Sequence, residues 1–121
     1  MQYENTFDEG VPRPEKAELE AKVLAAERVA LEAVRASIPL ASAFHFGAYH
    51  IDPQHMAFWI MTETDAERDA VLAEGVADSV FRKALGEQGY PRKAIPLIAV
   101  TAESQETVDR DFGGNWWHAV K

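Results

Sequence analysis

Apolar positions along this chain follow two periods. Between Pro14 and Ser37 a run rich in Ala, Glu, Leu and Val sets Val23, Leu24, Ala30, Leu31, Val34 and Ile38 on one side of a helix at 100° per residue. Pro14 suits a first helical turn, and Pro39 prevents extension. Glu20 and Glu27 project into the same sector, where a carboxylate buried without a partner is costly. They are expected at the rim, or paired with Arg28 or Lys16.

From Leu40 the pattern changes to alternation. Leu40–Ile51 and Met56–Thr62 are rich in aromatic and β-branched residues, and Asp52-Pro53-Gln54-His55 between them has proline at the second position of a turn, which predicts a β-hairpin. In the first strand Leu40, Phe44, Phe46 and Ala48 fall mainly on one face, with His45, Tyr49 and Ile51 on the other. In the second, Met56, Phe58 and Ile60 oppose Ala57, Trp59 and Met61. Helices can cover one face; the other, expected to carry Tyr49, Trp59 and Met61, is either covered by the N-terminal arm or a contact surface.

Thr64-Asp65-Ala66-Glu67 has capping-box spacing and predicts a second helix through Val71, Val76, Val80, Phe81, Ala84 and Leu85, with a kink or a close helix contact at Gly75 and an end around Gly86–Gly89. Ile95–Thr101 reads as a buried strand whose start Pro96 confines to an edge. Ser104 caps a short helix through Asp111, Gly113-Gly114 ends it, and Asn115–Lys121 reads as a last strand. The order α-β-β-α-β-(short α)-β predicts an α+β fold in two layers, with helices packed on a mainly antiparallel sheet. Residues 1–13 are expected to form a flexible arm ahead of a single domain over 14–121.

Composition narrows the function classes. At 121 residues and 47% apolar the chain supplies one core. Without cysteine, disulfides, thiolate nucleophiles and cysteine-ligated zinc are excluded, which suits a reducing, cytoplasmic setting. No signal-type apolar region and no run long enough to span a bilayer is visible. Twenty acids against twelve bases give a net charge of −8, which disfavours phosphate backbones and anionic lipid and favours a basic protein partner.

Candidate chemistry is sparse. His45, His50 and His55 cluster with Asp52 around the hairpin, but His45 and His50 stand an odd number of residues apart and point to opposite strand faces, so no metal is expected. No phosphate loop, H-E-x-x-H or G-x-S-x-G pattern occurs, and no catalytic or cofactor-binding residue is assigned. The charges say more. Glu63, Asp65, Glu67, Asp69, Glu74 and Asp78 stand against Arg68 alone, whereas Arg82, Lys83, Arg92 and Lys93 follow with only Glu87. Helix-dipole complementarity explains that sign order but fades within one turn, which leaves a surplus for a partner surface. Asp109, Asp111, Trp116 and Trp117 near the end, with Tyr49 and Trp59 of the hairpin, complete the candidate partner interface.

The ending Ser104-Gln105-Glu106-Thr107-Val108-Asp109-Arg110, followed by Gly113-Gly114-Asn115-Trp116-Trp117 in a small acidic cysteine-free chain, resembles small bacterial immunity proteins that accompany polymorphic or contact-dependent toxins. The resemblance implies a cytosolic inhibitor that occludes the active site of a cognate toxin with a basic surface, and it carries over no interface motif. Two other readings stand beside it: a small enzyme or ligand-binding domain, with a pocket between sheet and helices that uses a histidine with Glu20 or Glu27, and a homo-oligomeric scaffold joined through the open sheet face.

Overall fold

The computed structural model describes residues 13–120, with the side chains of 13–15 and of Glu74 outside that description. Apart from Arg13, which is already helical, the expected arm lies outside the described residues. The chain forms an α+β fold: helix α1 (Arg13–Arg35), strands β1 (Ser42–Phe46) and β2 (Ala57–Thr62), helices α2 (Asp65–Leu72) and α3 (Val76–Glu87), strand β3 (Ala99–Ser104), and helices α4 (Gln105–Phe112) and α5 (Trp116–Ala119). No helix among the described residues is long and apolar enough to cross a membrane.

Helix α1 packs through Leu19, Val23, Ala26, Ala30 and Val34, a spacing of three to four residues. Leu24, assigned to this stripe from the sequence, lies outside it and is exposed. Ser37 and Ile38 bond back to Val34, and Pro39 ends the helix.

The hairpin strands are shorter than the alternation implied, and residues 47–56 connect them. His55 N–H donates to the Asp52 carbonyl (2.8 Å) across the expected proline turn. Gly47 opens the connection at φ +131°, where a Cβ would lie 2.2 Å from the His55 carbonyl oxygen. The buried Tyr90 donates its hydroxyl to the Pro53 carbonyl (2.7 Å) and so ties this connection to the region beyond α3.

The second helix begins with the capping box read from the sequence: Thr64 Oγ1 accepts from the Glu67 N–H (3.1 Å), and Glu67 Oε1 accepts from the Thr64 N–H (3.3 Å). Gly75, left-handed at φ +66°, closes a 3-10 turn that splits the expected single helix into α2 and α3.

The sheet order is β1-β2-β3, antiparallel between β1 and β2 and parallel between β2 and β3. The sheet is therefore mixed, not mainly antiparallel, because α2 and α3 carry the chain back to the end where β2 began. β3 also starts later than its apolar run suggested. Arg82 donates to the carbonyls of Ile95 and Ile98 (2.7 Å for the latter), and Pro96 sits in a 3-10 turn, so pairing begins only at Ala99. The expected last strand is instead the short helix α5, capped by Asn115, whose Oδ1 accepts from the His118 N–H (3.2 Å).

The inner sheet face carries Phe58, Ile60 and Ala102 into the core against α1 and α3, with Phe58 and Phe81 tilted at 4.9 Å.

Candidate functional site

The pairing register decides which side chains the outer sheet face displays. Phe44 stands opposite Trp59, Phe46 opposite Ala57 and Ser42 opposite Met61, while β3 adds Ala99, Thr101 and Glu103 on the same side. Phe46, Phe44 and Trp59 form a run of near-parallel rings, 6.2 Å and then 6.3 Å between centroids. Their partial exposure, 43% at Phe46, shows that no described element packs over this side.

Tyr49 does not belong there. It was expected beside Trp59, yet it follows β1 in the connection and faces α1, with its ring edge-on to His45 (5.9 Å). Direct cross-strand partners share a face, so His45 lies with Phe58 on the inner side, and Phe44 and Phe46 take the outer places. Burial, followed by the carboxylates of Glu20 and Glu27, raises the Tyr49 phenol above its ordinary value. His45 Nδ1 lies 3.0 Å from Glu27 Oε2 with both side chains mostly buried. That pair settles Glu27 with a partner other than the expected Arg28 or Lys16, while Glu20 is exposed. His55 lies 4.0 Å from Asp52.

Where β2 and β3 end side by side, a polar network joins α2 to α4. Ser104 Oγ and Thr107 Oγ1 (2.6 Å) donate to Asp65 Oδ1, and Arg110 Nη1 reaches Asp65 Oδ2 (3.1 Å). Arg68 Nη1 donates to Glu103 Oε1 (2.7 Å) and to Thr107 Oγ1 (2.9 Å), which also accepts from Arg110 Nη2 (3.1 Å). Thr107 Oγ1 thereby uses its single proton and both lone pairs. Ser104 Oγ spends its proton on Asp65 and one lone pair on capping α4, where it accepts from the Thr107 N–H (3.0 Å). The hydroxyls of Ser104 and Thr107, then the Arg110 guanidinium, hold the Asp65 carboxyl far below its usual range. Glu103 and then Asp69 raise Arg68 in turn.

The acids of the candidate interface consequently have different standings. Asp65 is spent inside the network, Glu67 caps α2, and Asp78 forms a two-point pair with Arg82 (2.9 Å for each contact). Asp69 lies 3.0 Å from Arg68 and Asp111 3.3 Å from Arg110. Asp109 accepts from Gln105 (2.8 Å), and Glu63 is exposed. The Glu74 side chain lies outside the description. Trp116 donates Nε1 to Gln105 Oε1 (2.8 Å) and leans on α4, whereas Trp117 is 69% exposed.

Sequence reasoning overlooked Phe44, Phe46, Glu103, Ser104, Thr107, Arg68 and Arg110 as site-forming residues. Asn115 after two glycines was a readable cap signal for α5; the network joins residues up to 45 positions apart and leaves no local signal. Since Glu103 shares the outer face with Trp59, the network borders the aromatic run. Two guanidinium groups there stand among four carboxylates, those of Asp65, Asp69, Glu103 and Asp111. The result is an apolar, ring-bearing centre with a polar, net-acidic border at one end, an arrangement suited to binding a macromolecular surface.

Among the described residues no group of three histidine or carboxylate side chains is placed to hold a metal ion. Comparison with protein-family models, curated proteins and solved structures finds no match for this chain.

Proposed function

We propose that this chain is a protein-binding inhibitor of the immunity type, a bacterial cytoplasmic protein that docks the outer face of its sheet on a cognate toxin with a basic surface and occludes its active site. The observation that carries the reading is the partly exposed run Phe46–Phe44–Trp59 on a face with no described element over it. Large stacked rings bring much contact area at low entropic cost, and tryptophan is favoured at interface hot spots. The acid-rich border and the net charge of −8 suit a basic partner and would speed its approach. They disfavour nucleic acid, for which exposed rings alone would otherwise be a platform. Between the two surfaces considered from the sequence, the geometry favours the aromatic face over the acidic helix, whose carboxylates are largely engaged within the molecule.

The test is co-purification with the protein encoded beside it, followed by titration. Phe46→Ser and Trp59→Ser should each weaken the complex at least tenfold, the loss of roughly 1.4 kcal/mol or more at a hot spot. Glu63→Lys with Asp109→Lys should slow association at low salt. A neighbouring product that is neither toxic nor bound, or binding untouched by both serine variants, refutes the reading.

A further inference from the structure

Three helices leave a second apolar surface that the sheet-face reading does not use. The end of α1 with the turn after it (33–38), α2 (66–71) and α3 (76–80) line an open cavity of about 450 Å³, in which Val71, Ala77 and Ile38 form the buried floor and Ala33, Ala66, Ala70 and Val76 the exposed rim. The space exists because Ala33, Ala66, Ala70 and Ala77 stand where larger side chains would close it.

Its size, length and charge restrict what can enter. The volume falls among small-molecule sites, which run from roughly 300 to 1,000 Å³. Each wall is at most six residues of helix, about 9 Å long, which is short for a partner helix anchored at i, i+3, i+4 and i+7. Glu67 is the one ionisable residue of the lining. Its Oε1 takes the N–H groups of Glu63 (3.0 Å) and Thr64 (3.3 Å), while its Oε2 has no partner among the described residues. No lysine, arginine or histidine among those residues pairs with Glu67, so half of a carboxylate is left to accept from a ligand. The net charge of −8 works against anionic amphiphiles.

We infer that this cavity binds a small amphiphile with a compact apolar body and a cationic head, the body against the alanine and valine walls and the ammonium on Glu67 Oε2. The site is separate from the sheet face, so either proposal can fail without the other.

Hexylamine, hexanol and hexanoate, titrated into the full chain and followed by amide chemical shifts, test it. Hexylamine should bind saturably with shifts centred on residues 66–71, and about tenfold more tightly than hexanoate, the worth of one charge-assisted hydrogen bond. Glu67→Gln, which keeps the capping acceptor, should reduce hexylamine to the affinity of hexanol. Ala70→Phe, checked for retained helicity, should abolish binding of all three, and Trp59→Ser should leave it unchanged. The absence of saturable hexylamine binding overturns the inference, as does binding indifferent to head group or to Glu67→Gln.

Discussion

Phe58 and Trp59 are neighbours in β2 that project from opposite faces, so truncating each in turn measures the two sides of the sheet separately. Phe58 is fully buried, with its ring tilted against Phe81. Phe58→Ala removes the ring from the centre of the core and leaves a void that a central strand, paired on both edges with β1 and β3, collapses poorly, at a cost of about 3–5 kcal/mol. Against a total stability of about 5–15 kcal/mol this lowers the melting temperature by roughly 10–20 °C. Trp59→Ala removes a partly exposed ring and its stacking on Phe44, in which the ring planes lie 4° apart. Stacking of that kind contributes about 0.5–1.5 kcal/mol, and the expected total cost is about 1 kcal/mol. Urea unfolding of both variants, with midpoint and slope fitted together, separates the two outcomes. Equal losses would mean that the outer face is covered in solution, and the docking proposal would fall with that result.

Gly47→Ala should destabilise by roughly 2–5 kcal/mol, since the new Cβ meets the backbone at His55 in an unfavourable φ region. Gly75→Ala meets no atom within 4 Å and should cost only the left-handed dihedral, about 1–2 kcal/mol; thermal melts of the pair test this, and a Gly47 variant as stable as wild type refutes the close approach. Thr64→Ala and Ser104→Ala each remove a cap and should cost about 1 and 1–2 kcal/mol, read from urea midpoints, with Ser104 higher because its loss strands a buried N–H. The Asp65 carboxyl is held below its unfolded value near 4 by Ser104, Thr107 and Arg110. Its contribution is therefore complete above pH 4 and is lost as pH falls towards the lower folded value, so Asp65→Asn should flatten the acid side of the stability profile and leave the neutral side parallel to wild type. An unchanged acid limb in that variant would remove Asp65 from the network.

Features governed by neighbours in the chain were legible. The caps at Thr64 and Ser104 and the stop ahead of Pro39 depend on side chains and dihedrals within a few residues, and the structure has each where the spacing indicates; Gly75 marked the irregular position but not that the helix divides there. The long α1 was equally clear, apart from Leu24, which marks the edge of its apolar sector. The site was less legible. The alternation separated Phe44 and Phe46 from His45 correctly, but not which of those sets shares a face with Trp59. That choice rests on the register across a connection of residues 47–56, too long to be set by one tight turn. The surplus of acids was visible as a count, yet Asp65, Glu67 and Asp78 are engaged by Ser104, by the α2 backbone and by Arg82, and their engagement depends on where distant residues arrive.

By itself, then, the order of residues determined the long first helix, the capped starts of α2 and α4, the presence of a hairpin, the acidic balance and the absence of thiol chemistry, because dihedral preference, capping and charge are properties of short segments. Tertiary structure alone decided that β3 lies parallel to β2, that the tail docks Trp116 on Gln105, that three rings line up on the outer sheet face, and that the helices leave a hollow beside Glu67. Those outcomes depend on contacts between residues far apart in the chain, whose free energy exists only once the backbone has brought them together.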